Sequence, residues 1–166
     1  MDIYCIDTSS LIELKEKYPK EIFATLWEKI DELIQKGRII APVKVKKEIE
    51  RGDDELKKWV NDKKRKKMFI KPDENQVKKA KEILKKYPFL AKSEKSEGLD
   101  DADPWLIVLA AIKNEEEGMR LFSKNNYIII TEESPVKPNR IPAVCREIKI
   151  ECINLIEFFK REGWKF

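Results

Sequence analysis

The chain of 166 residues contains no histidine, only three cysteines and five glycines. Without histidine, the usual imidazole base and the commonest nitrogen ligand of zinc are both missing. Cys5, Cys145 and Cys152 form no CxxC pair and sit in apolar surroundings. They read as buried thiols in a reducing compartment, which excludes a disulfide or zinc framework. No apolar run approaches the roughly 20 residues of a membrane span. The chain is strand-like from Ile3 onward with no basic stretch before it, so no secretory signal peptide is expected. These absences point to a cytoplasmic protein with no membrane partner.

What is present suits one compact domain over residues 1–166, long enough to bury roughly 70% of its unfolded surface. Apolar residues make up 42% and charged residues 40%, with 35 Lys and Arg against 31 Asp and Glu. The net charge of +4 is too small to identify a nucleic-acid partner by itself; where the charges cluster matters more. High charge with few glycines also suits a heat-stable protein.

Apolar periodicity predicts alternating strands and helices. Ile3–Ile6 reads as a strand, and a helix is expected over about 21–36, where Phe23, Leu26, Trp27, Ile30, Leu33 and Ile34 fall at helical spacing before Gly37. Residues 38–41 form a brief strand, and Pro42 starts a helix that Gly52 stops. DDELKKWVNDKKRKK reads as one helix with its acids at the N-terminus and its bases at the C-terminus, as the helix dipole prefers. Residues 68–70 suggest a short strand, and Pro72 opens a helix to about Lys86. The stretch YPFLAKSEKSEGLDDAD is expected to be a mobile loop leading to Pro104. WLIVLAAI is apolar all round and predicts a helix buried in the middle of the domain. Strands over 127–131 and 149–153, a short helix over 141–147 and a closing helix over 155–162 complete the pattern. Continuously apolar strands separated by helices predict a parallel sheet covered on both faces, an α/β fold.

In such folds, sites form beyond the carboxyl ends of the strands. Asp7 ends the first apolar strand, and Glu132 and Glu133 follow YIIIT. LDDADPW puts Asp100, Asp101 and Asp103 where the buried helix begins, and Glu48 and Glu50 lie in VKVKKEIERG. Clustered carboxylates repel unless a proton or cation intervenes, and an all-oxygen set suits Mg²⁺ or Mn²⁺. Each acid also has a plainer reading. Asp103 before Pro104 could cap its helix, and Asp7 could cap the turn through DTSS. Glu48, Glu132 and Glu133 could be solvated. Capping does not account for three aspartates in four residues.

IDTSSL, EIERG, DPWLIVLAA and IIITEE, in that order, resemble the motifs of the PIN domain. The whole chain, down to NLIEFFKREGWKF, is similar to an uncharacterised PIN-like family of bacteria and archaea. The resemblance implies a PIN-like sandwich, a mostly parallel sheet with helices on both faces, and an acidic Mg²⁺ or Mn²⁺ site. By motif, Asp7, Glu48 and Asp103 match the first three acids, and Leu106 and Ala110 match apolar and alanine positions beside the third. Ser9 matches the hydroxyl that supports the first acid. The fourth position, usually Thr-x-Asp, reads here as Thr131, Glu132, Glu133, so Glu133 is the aligned acid and glutamate departs from the pattern. Asp101 is close enough in sequence to be a further ligand or a supporting partner.

PIN-type relatives are metal-dependent endoribonucleases, including toxins of toxin–antitoxin pairs. The resemblance therefore implies RNA hydrolysis that leaves a 5′-phosphate and a 3′-hydroxyl, with a metal-activated water as nucleophile. An antitoxin and a second copy of the chain are the implied protein partners. RNA binding would use Lys44, Lys46 and Lys47 beside Glu48, and the run Lys63, Lys64, Arg65, Lys66, Lys67, which otherwise reads as a solvated helix end. No aromatic strip of RNA-recognition type is present. Two other readings stand beside this one. One is a non-catalytic PIN-like domain that binds nucleic acid or protein. The other is a receiver-type phosphoryl-transfer domain, which has Thr131 but lacks a lysine after the next strand.

Overall fold

A computed structural model describes residues 1–52, 54–92, 98–122 and 124–166. Its organising feature is the alternation of side chains along β1 (Asp2–Ile6). Tyr4 and Ile6 enter one core cluster, while Ile3 and Cys5 enter the other. Successive strand residues point to opposite faces, so a strand apolar from Ile3 to Ile6 must be covered on both sides.

Four further strands pair with it: β2 (Ile39–Pro42), β3 (Phe69–Ile70), β4 (Asn126–Ile130) and β5 (Cys152–Ile153). The sheet order is β3-β2-β1-β4-β5, and every pairing is parallel. β1 and β4 run in register over five residues, from Asp2 beside Asn126 to Ile6 beside Ile130. The chain thus builds outward from β1 on one side, then returns to build on the other.

On the face of Tyr4 and Ile6 pack α1 (Thr8–Lys17), α2 (Ala24–Gln35), α3 (Val43–Gly52), α4 (Asp54–Asn61) and α8 (Leu155–Arg161). On the face of Ile3 and Cys5 lie α5 (Glu74–Lys86), α6 (Ala102–Gly118) and α7 (Ile141–Ile148). α6 is buried from Ala102 to Ile112, as its unbroken apolar run requires. Among the described residues, no helix is long and apolar enough to cross a membrane.

Several elements differ from the sequence expectation. α1 was not expected, because TSSLIELKEK buries only Ser10, Leu11 and Leu14 and its apolar stripe is narrow. The helix expected over 53–67 ends at Asn61; Asp62 then caps a 3₁₀ turn, Lys63–Met68, by accepting from the Lys64 N–H (2.9 Å). The strand expected over 149–153 shrinks to Cys152–Ile153, because Lys149 adopts a left-handed conformation (φ 59°) that closes α7. Residues 93–97 of the expected mobile loop, and Asp53, lie outside the described residues. All three cysteines are free; Cys5 and Cys145 are buried and Cys152 is half-buried.

The amino end of the sheet is tied by charge. Arg38 grips Glu162 with both prongs (2.8 and 2.5 Å) and donates through Nε to the Asp2 carbonyl (3.0 Å). Tyr4 Oη donates to the same carboxylate (2.6 Å). Both charged side chains are mostly covered, at 19% and 11% exposure. Losing one partner leaves the other desolvated, so Arg38→Met is expected to cost about 2 kcal/mol. Urea denaturation would read this directly; an unchanged midpoint would mean the pair contributes nothing.

Candidate metal centre

The turn-back between β1 and β4 opens a crevice beyond their carboxyl ends, where parallel α/β sheets bind ligands. Strand parity decides which side chains enter it. Cys5 and Ile129 face α6, so Asp7, Thr131 and Glu133, two or four residues further on, share that side. Glu132 falls on the opposite side, where its carboxylate accepts from the Leu155 N–H at the start of α8 (2.7 Å).

Asp7 is 2% exposed and its carboxylate is densely bonded. Oδ1 accepts from the Thr8 N–H (2.7 Å), capping α1. Oδ2 accepts from Ser9 Oγ (2.7 Å) and Thr131 Oγ1 (2.9 Å). Those hydroxyls are themselves positioned, Ser9 by accepting from the Glu132 N–H (3.1 Å) and Thr131 from the Glu133 N–H (3.2 Å). Capping and clustering are therefore not alternatives for Asp7; one carboxylate does both.

Asp103, 4% exposed, sits in the first turn of α6. It is not the helix cap, as the Asp-Pro pair had suggested. Asp101 holds that position, and the first helical N–H, that of Ala102, donates instead to Glu48 Oε1 (2.8 Å). Glu133 Oε2 accepts from the Ile141 N–H at the start of α7 (3.0 Å). Asp7, Asp103 and Glu133 each offer one oxygen within 4.8 Å of the others. Three acids from three separated segments thus converge at one point, with the N-termini of α1, α6 and α7 around them. Those helix ends carry partial positive charge and offset part of the acids' repulsion.

Burial, and after it the acids' mutual repulsion, raises the affinity of Asp7 and Asp103 for protons. Burial pushes the Asp103 carboxyl up to about 7, with the Asp7 charge adding to it and Lys92 opposing it. Asp7 is also raised, chiefly by burial, against the pull of the Ser9 and Thr131 hydroxyls.

Glu48 stands beside this group and outside it. Its Oε2 accepts from Thr8 Oγ1 (2.7 Å) and its Oε1 from Ala102, so it clamps the starts of α1 and α6 together. Asp101 accepts from the backbone N–H of Lys92 (2.8 Å), and Asp100 pairs with Lys44 (2.9 Å). Lys92 is the site residue that sequence reasoning missed. Its ammonium lies 2.6 Å from Asp103 and 3.5 Å from Glu133. It belongs to no motif, and only the fold brings it there.

The expected RNA-contacting residues separate into two groups. Lys44 and Lys47 open α3, directly after the carboxyl end of β2, on the same edge as the acids. The KKRKK run lies elsewhere. The Lys64 carbonyl accepts from Gln35 at the end of α2, which delivers the chain to the amino end of β2. Lys63 and Lys64 are exposed there, but Arg65 is not a rim residue. It is 5% exposed, held by both oxygens of Asp31 (2.9 and 2.6 Å) and stacked over Trp59 at 4.3 Å. Its guanidinium is committed to the core.

The donor set consists only of carboxylate oxygens, in a chain with no imidazole, and so fits a hard divalent ion better than zinc. A family model described as a domain of unknown function (DUF4411) matches residues 4–166. No curated protein and no solved structure matches the chain.

Proposed function

The chain belongs to the DUF4411 family, and we propose that it is a metal-dependent endoribonuclease. The observation that supports this best is the convergence of Asp7, Asp103 and Glu133 at the β1–β4 crevice. Mg²⁺ or Mn²⁺, when bound, supplies Lewis-acid polarisation of a phosphodiester and activates a water near neutral pH. Asp7, Asp103 and Glu133 hold the ion. Ser9 and Thr131 fix the Asp7 carboxylate through two hydroxyl bonds, so that its orientation does not depend on the ion. Glu48 positions Thr8 and the start of α6, and through them the strand end and helix end that carry two of the acids. Lys47, exposed on α3, supplies positive charge on the rim of the same edge, where a phosphate backbone would approach, whereas Lys44 is 15% exposed and paired with Asp100. The PIN-like motifs extend the proposal to the toxin of a toxin–antitoxin pair, with an antitoxin as protein partner.

A non-catalytic binding role is favoured by one observation: the fourth position carries Glu133 in place of the usual aspartate, with its carboxylate already engaged by the Ile141 N–H and by Lys92. Purified protein incubated with pooled tRNA and with unstructured RNA, in Mg²⁺, Mn²⁺ or EDTA, separates the two. Cleavage that depends on the metal is the expected result. Intact RNA in every condition, with no Mn²⁺ bound, would give the site to the binding role.

A further inference from the structure

Lys92 brings its ammonium to the oxygens that a divalent ion would take. Nζ lies 2.6 Å from Asp103 Oδ2 and 3.5 Å from Glu133 Oε1. A metal at about 2.1 Å from such oxygens would share their lone pairs with a second cation a few ångströms away. The two cations compete for one place.

The backbone that presents this ammonium is fixed from two directions. Asp101, at the start of α6, accepts from the Lys92 N–H (2.8 Å). Just before it, Ala91 is pressed by Gly98, whose φ is +83° and where an added Cβ would stand 2.5 Å from the Ala91 Cβ. Only glycine allows that approach. The lysine side chain, by contrast, is 57% exposed and can swing outward without opening the core. A tethered backbone carrying an exposed side chain whose charged tip rests on the acids is the construction of a removable plug.

We propose that Lys92 is the site's internal counter-cation: its ammonium holds Asp103 and Glu133 in the metal-free protein, and divalent-ion binding must displace it. This rests on the metal reading of the acid cluster. It assigns Asp101 a part other than ligand, that of positioning Lys92. Its consequence is a threshold: the site loads only where the divalent ion outcompetes the lysine, and the substrate phosphate then meets a displaced ammonium at the rim.

Mn²⁺ titration followed by electron paramagnetic resonance tests this without any cleavage assay. Lys92→Met should bind Mn²⁺ at least about tenfold more tightly than the wild type, equal to about 1.4 kcal/mol or more. Lys92→Arg, which keeps the charge, should stay near the wild-type affinity. Asp7→Asn added to Lys92→Met should abolish the tight binding, locating it at this site. Equal or weaker binding by Lys92→Met would overturn the plug while leaving the metal reading intact. No Mn²⁺ bound by either protein would overturn both. In EDTA, Lys92→Met should melt below the wild type and gain more on adding Mn²⁺, which separates lost folding from lost competition.

Discussion

Asp7→Asn is expected to lower metal-dependent RNA cleavage at least about a thousandfold, a barrier increase of about 4 kcal/mol, while leaving the protein folded. The fold should survive because asparagine keeps the oxygen that caps α1 at the Thr8 N–H. Its amide would face Ser9 and Thr131, hydroxyls able to reverse from donating to accepting. Removing a charge whose burial is unfavourable should leave the metal-free melting temperature unchanged or higher. What disappears is one anionic ligand of three, together with the negative charge that attracts the cation. Melting curves in EDTA and in Mn²⁺, run beside the cleavage assay, distinguish the cases. The variant should match or exceed the wild type in EDTA and lose its stabilisation by Mn²⁺. Full activity in the variant would remove Asp7 from the chemistry and leave it a helix cap only.

Much of this site is readable from residue pattern, and the unread part has specific causes. Two apolar runs that both stop on acids, Ile6 before Asp7 and Thr131 before Glu132, signal parallel strands with a shared crevice. The two glutamates after the second run separate only in the fold, where Glu132 accepts from the start of α8 and Glu133 from the start of α7. The division between Asp101 and Asp103 was not legible. It depends on Ala102 finding a cap in Glu48, 54 residues earlier in the chain. Lys92 lay beyond reach for the same reason: a lysine in a charged loop has no periodicity, and only tertiary contact gives it a role. The basic run misled because density of charge says nothing of direction. Arg65 was drawn inward by Asp31 and Trp59, leaving its neighbours on the far edge. Thr8 carries the opposite lesson, a small hydroxyl whose bond to Glu48 links two helix starts.

The absence of histidine makes a second large effect measurable. In most proteins, stability between about pH 5 and 7.5 is shaped by imidazoles, which titrate in that window. Here no side chain has an ordinary value in that range, so the raised carboxyls of the acid cluster dominate it. Asp103 releases its proton, becoming the Lys92-paired carboxylate, at about pH 7 in the native state, because burial and the Asp7 charge outweigh the pull of Lys92, but near 3.8 when unfolded. Between those values the metal-free native protein holds more protons than the unfolded chain. Stability must therefore fall as pH rises through the window, by on the order of 4 kcal/mol from Asp103. Below about pH 4 its full contribution is present, and above about 7 it is lost. A divalent ion reverses the slope, since it takes the place of the proton: its apparent affinity should rise with pH to about 7 and then level off. Melting temperatures across this range should fall with pH in EDTA and fall less, or rise, in Mn²⁺. Asp103→Asn should flatten the EDTA curve. A wild-type curve already flat in EDTA would mean that Asp103 stays a carboxylate throughout this range, held in the metal-free protein by the Lys92 ammonium and not by a proton.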